Sequence, residues 1–176
     1  MSRIALFGSS YIRRLDEFCG GDLGIPHTVK FFGKGGMTAG HPHLFLKSQM
    51  LHFQPEIVFI CLGGNDISAT SSPCEIVRNI KTLVNELIST GVRRVLVSEV
   101  LERGDLSKAP GLTKDSFDKQ RKKINQMLKS KLGKNFVTFS EIHYPTDYIT
   151  DLVHLSPERG LVKQYHRVKR TLMSVA

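Results

Sequence analysis

Five short apolar runs alternate along the chain with longer segments of helical period: Ile4 to Phe7, Thr28 to Phe32, Ile57 to Leu62, Arg94 to Val100 and Phe136 to Phe139. Runs of this length, separated by helix-forming segments, indicate strands joined by crossover helices. The clearest helix lies between the third and fourth runs. There Ile76, Val77, Ile80, Leu83, Val84, Leu87 and Ile88 keep the i, i+3, i+4 spacing of one buried face. Ser72 is its expected cap, Pro73 suits its first position, Glu75 completes a capping box, and Gly91 fits the left-handed residue beyond its end.

A second helix is expected from about Ser116 to Leu132, with Phe117, Ile124, Leu128 and Leu132 inward and a basic outer face. A third is expected from Ser156 to near the end, started by Ser156 and Pro157 and carrying a stripe of Leu161, Val162, Tyr165, Val168 and Leu172. Weaker helices are expected from Tyr11 to Phe18 and from about His43 to His52. The elements add up to a three-layer α/β/α fold with five mostly parallel strands, right-handed crossovers putting helices on both faces.

The length of 176 residues with 40% hydrophobic residues supports one sizeable core, so a single domain over 1–176 is expected. Ordinary glycine and proline usage excludes collagen-like and disordered classes, and no stretch is long and apolar enough to cross a bilayer. Cys19, Cys61 and Cys74 are odd in number and match no metal-ligand or redox spacing. They read as buried free thiols of a reducing compartment. With no signal-peptide pattern at Met1-Ser2-Arg3, an intracellular location, cytoplasmic or nuclear, is expected.

Ligands of open α/β sheets sit outside the carboxyl ends of the strands, so the residues that follow the apolar runs carry the chemistry. Here these are Gly8-Ser9-Ser10, Gly33-Lys34-Gly35-Gly36, Gly63-Gly64-Asn65-Asp66 and, beyond the fifth run, Asp151-Leu152-Val153-His154. In a turn, the spacing of Asp151 and His154 lets the carboxylate reach Nδ1 of the ring, fix its tautomer and stabilise the imidazolium. The ring then needs a hydroxyl to deprotonate, and Ser10 is the best-placed candidate. Backbone N–H groups at Ser10 and Gly36 and the Asn65 amide are candidate donors to a developing oxyanion. The glycine-rich stretch matches neither a phosphate loop nor a dinucleotide fingerprint. No cofactor is expected.

Taken in order and spacing, the four blocks resemble those of SGNH (GDSL-like) hydrolases over essentially the whole chain. The resemblance implies a flavodoxin-like fold with Ser10 as nucleophile, His154 as base, Asp151 as its orienting partner, and an oxyanion hole of Ser10, Gly36 and Asn65. Ser9 departs from the family, which usually has Asp there. A narrower resemblance is carried by Val58 to Ser68, Arg103-Gly104-Asp105-Leu106-Ser107-Lys108 and Asp151 to Ser156. These look like the esterase domain of first-open-reading-frame proteins of LINE-type non-LTR retrotransposons, which implies a carboxylesterase for short acyl groups with lipid association. Leu101 to Thr113 and His143 to Ile149, with Tyr144 and Tyr148, are the expected substrate walls.

Each block also has an ordinary reading: Ser9 or Ser10 as a helix cap, Asn65 and Asp66 as turn residues, and Asp151 with His154 as a structural pair. Their coincidence on one sheet edge favours the site. His41 and His43 flank Pro42, but a solvated turn is the simpler reading, and no metal site is indicated.

Charge completes the picture. There are 25 Lys and Arg against 16 Asp and Glu, a formal +9. The excess falls in two segments, 114–134 and 156–176, while none of the matched site residues is basic. An acidic substrate is therefore the weakest explanation of the charge. The basic helices are expected either to touch nucleic acid or anionic membrane beside an ester site, or, as the alternative function, to do so in a catalytically silent module of the same fold. Oligomeric state is not legible.

Overall fold

The computed structural model describes residues 1–176. Strands β1 (Arg3–Gly8), β2 (Thr28–Gly33), β3 (Ile57–Cys61), β4 (Arg94–Ser98) and β5 (Phe136–Val137) form one sheet in the order β2-β1-β3-β4-β5. Every pairing is parallel. The central strands are apolar on both faces because both are covered. Ala5, Phe7, Val58, Ile60, Val95 and Val97 point into one core, and Ile4, Leu6, Ile57, Phe59 and Leu96 into the other.

Helices α2 (Leu44–Phe53), α3 (Pro73–Ser89) and α4 (Lys114–Leu132) close the first core, while α1 (Ser10–Cys19) and α5 (Gly160–Val175) close the second. The expected α/β/α layering is what forms. Helix α3 ends in a Schellman motif: Val92 N–H donates to the Leu87 carbonyl and Gly91 N–H to that of Ile88, with Gly91 at φ 101°.

Several details differ from the pattern. The expected capping box on α3 does not form, since the Ser72 side chain makes no cap hydrogen bond. Ile88 is 53% exposed, on the flank of the stripe in the last turn. Helix α4 starts two residues early because Thr113, not Ser116, is its cap and accepts the Ser116 N–H at 3.1 Å. Helix α5 starts at Gly160, four residues later than the Ser-Pro signal. Ser156 Oγ is drawn instead to the Asp147 carbonyl at 3.2 Å while accepting Gly160 N–H, and a Cβ at Gly160 would collide with that carbonyl. The fully buried Gln164 sits in the α5 stripe between Leu161 and Val168, and Val162 and Tyr165 are only half-buried. His43 is not merely a solvated turn residue, because its Nδ1 accepts the Leu46 N–H and caps α2. Of the cysteines only Cys61 is buried, and Cys74 is exposed.

The two basic helices lie on opposite sheet faces, so they do not make one patch. Just before and on α5, Arg159 and Lys163 both pair with the fully buried Asp147, and Arg170 pairs with Glu141. On and just after α4, Lys119, Lys122, Lys123, Lys129, Lys131 and Lys134 are exposed. No helix is long and apolar enough to cross a membrane.

The tightest backbone contact is at the end of β1, where a Cβ on Gly8 would collide with the Cys61 carbonyl of β3 and crowd Ile12. Gly8→Ala is expected to lower stability by about 1–3 kcal/mol, as overpacking a core does, read as a lower urea midpoint at unchanged slope.

Candidate active site

Strand β1 passes into α1 with only Ser9 between them, and this turn sets Ser10 at the carboxyl edge of the sheet. Ser9 N–H donates to the Cys61 carbonyl at 3.3 Å, and its own carbonyl accepts from Ile12 and Arg13. Ser9 is thus the cap by backbone position, but its side chain makes no cap bond. Ser10 is not a cap either. Its Oγ lies 3.1 Å from His154 Nε2, and His154 Nδ1 lies 2.6 Å from Asp151 Oδ2.

Asp151 is held by its own turn, its other oxygen accepting the N–H groups of Val153 and His154 at 2.9 Å each. Burial alone would raise its pKa, but the bonds from the His154 backbone, the His154 ring and Val153 outweigh that and bring it down to about 2. The carboxylate therefore stays ionised, which makes Nδ1 the protonated nitrogen and leaves Nε2 free to accept from Ser10. For His154, burial disfavours the imidazolium and lowers the pKa. Asp151 opposes this, and Arg14 and Arg103 add to it.

The N–H donors converge on the same edge. Ser10 opens α1, so its N–H has no acceptor within the helix. Gly36 has φ 80°, a conformation that favours glycine, and its N–H makes no hydrogen bond. Asn65 lies in a 3-10 turn, Gly64–Asp66, directly after β3. Its Nδ2 donates to the Met37 carbonyl at 3.0 Å while its Oδ1 accepts from Arg103 Nη1 at 3.0 Å. These two partners fix which way the amide faces and leave one Nδ2 hydrogen unassigned.

Ser10, Gly36, Asn65, Asp151 and His154, the five site residues expected from the sequence, all line one cavity of about 490 Å³. Its apolar wall is Ile67, Leu106, Ala109, Leu112 and Phe117. The loop after β4 is a wall as expected, but the segment 143–149 is not. Tyr148 is buried with its hydroxyl on the Glu102 carbonyl, and a Cβ on Gly104 would strike the Tyr144 hydroxyl, so this segment backs the loop from behind.

Three contacts that hold the site together are not assigned from the strand-end blocks. Asp66 accepts the N–H groups of Ala39 and Gly40 at 3.0 Å each, tying the loop of Gly36 to the turn of Asn65. Tyr11 donates to the Val153 carbonyl at 2.7 Å, binding the neighbour of Ser10 to the neighbour of His154. Arg103 orients Asn65, packs on Gly64 and lies 6.0 Å from the Tyr11 ring centroid. Arg13, Arg14, Arg103 and Lys108 all line the cavity, which corrects the expectation of a site without basic residues. Their signals were Arg13 and Arg14 one turn after Ser10, and Arg103 and Lys108 within the expected substrate wall beyond the fourth strand. No group of three or more His, Cys, Asp or Glu is clustered to hold a metal ion.

A sequence model of the GDSL-like lipase/acylhydrolase family matches residues 7–158, spanning all four blocks. The chain belongs to this family. Among solved structures, a GDSL-like lipase from Bacteroides thetaiotaomicron is 16% identical with a TM-score of 0.77, covering 99% of this chain and 89% of that one. A lipase/acylhydrolase from Enterococcus faecalis is 18% identical with a TM-score of 0.75, covering 99% and 96%. A psychrotrophic esterase from Pseudoalteromonas sp., described as inhibited by monoethylphosphonate, is 14% identical with a TM-score of 0.71, covering 98% and 100%. At these identities the likeness is one of fold. No curated protein matches the chain.

The surroundings of His154 predict its titration in this GDSL-like chain. Its imidazole is expected to titrate below the ordinary value of about 6.5, and Arg14→Gln is expected to move the midpoint upward by removing a cation that disfavours the charged ring. NMR of the ring protons against pH checks both directions.

Proposed function

We propose that the protein is a serine esterase that hydrolyses short-chain, acetyl-type carboxylic esters through a covalent acyl-enzyme. The observation that carries this reading is the chain of contacts from Ser10 Oγ through the His154 ring to Asp151, at 3.1 and 2.6 Å, on a cavity lined with free N–H donors. The reading is that Ser10 Oγ attacks the ester carbonyl as His154 Nε2 takes the hydroxyl proton. A bond from Oγ to the acyl carbon forms, and the carbonyl oxygen becomes an oxyanion facing the Ser10 and Gly36 N–H groups and the Asn65 amide. Collapse breaks the bond to the leaving oxygen, which takes the proton from His154. Water then repeats the sequence on the acyl-enzyme and returns Ser10 to its hydroxyl form. Every step uses one proton site whose partner, Asp151, stays ionised.

The cavity's size falls within the usual range of small-molecule sites, and its one apolar wall suits a short acyl group. The kinship with retrotransposon esterase domains, and the lipid association it implies, rest on the three segments that carry that resemblance. For the basic surface, the exposed and unpaired lysines of α4 favour contact with a polyanion such as nucleic acid or an anionic membrane. The cations of α5 that are engaged within the fold favour it less.

Hydrolysis of a para-nitrophenyl acetate-type ester tests the main reading. Ser10→Ala and His154→Ala, folded by circular dichroism, are expected to lose on the order of 10³-fold or more in kcat/KM, and Asn65→Ala about 10²–10³-fold in kcat. Equal rates in the three proteins and the wild type would exclude it and favour the silent module. For α4, polyanion binding is expected to weaken steeply between about 50 and 200 mM salt, measured by fluorescence anisotropy for nucleic acid and by vesicle co-sedimentation for membrane.

A further inference from the structure

The cavity that holds Ser10 and His154 is more cationic than hydrolysis of a neutral ester requires. Four cations line it against two carboxylates, Asp105 and Asp151. Asp151 is taken up by His154 and two backbone N–H groups, and Asp105 accepts the Ser107 N–H. Arg13 is partly engaged by Glu17 at 2.8 Å. Arg14 and Arg103 form no ion pair at all. The Nε atoms of both are buried without a hydrogen-bond partner.

Such groups are unusual. A buried donor left unpaired costs about 1–3 kcal/mol. Other cations of this fold find acceptors, Arg159 and Lys163 on Asp147 and Arg167 on the Thr138 carbonyl, while Arg121, whose Nε is likewise buried without a hydrogen bond, has Asp118 at 3.6 Å. The two guanidinium groups come from different elements. Arg14 lies one turn after Ser10 on α1, and the i, i+4 spacing sets it on the face that Ser10 opens. Arg103 comes from the loop after β4 and reaches Asn65. Both line the cavity together with Ser10 and His154, and both disfavour the charged form of the His154 ring.

We propose that the substrate of this site carries an oxyanion group, carboxylate or phosphate, beside the ester that is cleaved, and that Arg14 and Arg103 receive it. The inference rests on the esterase reading above. A guanidinium matches either group through a planar fork of N–H donors, which is why arginine serves such recognition better than lysine. Arg13 and Lys108, at the same cavity, add longer-range attraction.

Matched ester pairs separate the possibilities. Para-nitrophenyl butyrate against mono-para-nitrophenyl succinate puts the charge on the acyl side. Methyl para-acetoxybenzoate against para-acetoxybenzoate puts a carboxylate on the leaving side, and para-acetoxyphenyl phosphate replaces it by a phosphate. At least one charged ester is expected to exceed its neutral partner in kcat/KM by about tenfold, the worth of one charge-assisted hydrogen bond. That ratio is expected to shrink as salt rises from about 50 to 200 mM and to fall several-fold in Arg14→Gln, with partial recovery in Arg14→Lys. If Arg14→Gln does not fold, the salt dependence of the wild-type ratios decides alone. Turnover of the neutral esters with no preference for any charged one, at either salt, overturns the inference and leaves the esterase reading intact. No turnover of any ester overturns the esterase reading and takes this inference with it.

Discussion

The turn Gly8-Ser9-Ser10 is the point on which the site depends. Gly8 lies so close to β3 that no side chain fits between it and the Cys61 carbonyl, and its own carbonyl accepts the Lys34 N–H at 3.0 Å from the loop after β2. Gly33 is crowded in the same way by the backbone of Arg13. Three strands are thus locked at their carboxyl ends around one short turn. Side-chain links then join the surrounding loops to one another. Tyr11 reaches the His154 loop, Asp66 draws in the Gly36 loop, and Arg103 meets Asn65. An error in the turn would move Ser10 relative to His154 and the N–H donors together, because all are referred to the same backbone.

The electrostatics of the site are a compromise between two demands. A histidine that accepts a proton from serine needs to be neutral beforehand and stabilised once charged. Around His154, burial and the two arginines favour the neutral ring, and Asp151 favours the charged one. Asp151 can do so because its turn gives it two backbone N–H donors in addition to the ring, so the carboxylate stays charged despite burial. The arginines run against the stabilised imidazolium. Arg103 also orients Asn65, and in the proposed reaction a negatively charged group on the substrate would cancel the conflict.

Much of this was legible along the chain, for definite reasons. The sheet was readable because β1, β3 and β4 are buried on both faces and read as unbroken apolar runs. That Ser10, Gly36, Asn65, Asp151 and His154 would meet at one cavity was readable because each follows a strand end or sits beside a helix entrance on the same edge of the sheet. Helix starts were less legible. Ser156-Pro157 has the composition of a cap but is claimed by the buried Asp147 carbonyl, a contact with no local signature. The parts that act at a distance were hidden for the same reason. Asp66 is an ordinary turn residue until Ala39 and Gly40 are folded against it, and Tyr11 looks like core until its hydroxyl finds Val153. Arg103 sits in an aperiodic loop, so nothing nearby shows that it will lie on Gly64.

The charge of the chain divides by what its cations do, and counting by segment obscures this. Helix α5 is as basic in sequence as a binding face, yet Arg159, Lys163 and Arg170 neutralise Asp147 and Glu141, and Arg167 holds the Thr138 carbonyl at 2.9 Å. Its charge is largely internal structure. On α4, Lys114 pairs with Glu102 and Asp118, but Lys119, Lys122, Lys123, Lys129 and Lys131 make no such bonds, so their charge faces solvent. Arg14 and Arg103 belong to neither helix and contribute little to any segment total, but each carries a buried Nε–H with nothing to donate to, at the cavity that His154 lines. A few exposed lysines alter solubility and long-range attraction, whereas two half-buried guanidiniums at one cavity alter which molecule can be held there. In the proposed reaction, position relative to Ser10, and not number, decides which of the positive charges belong to the chemistry.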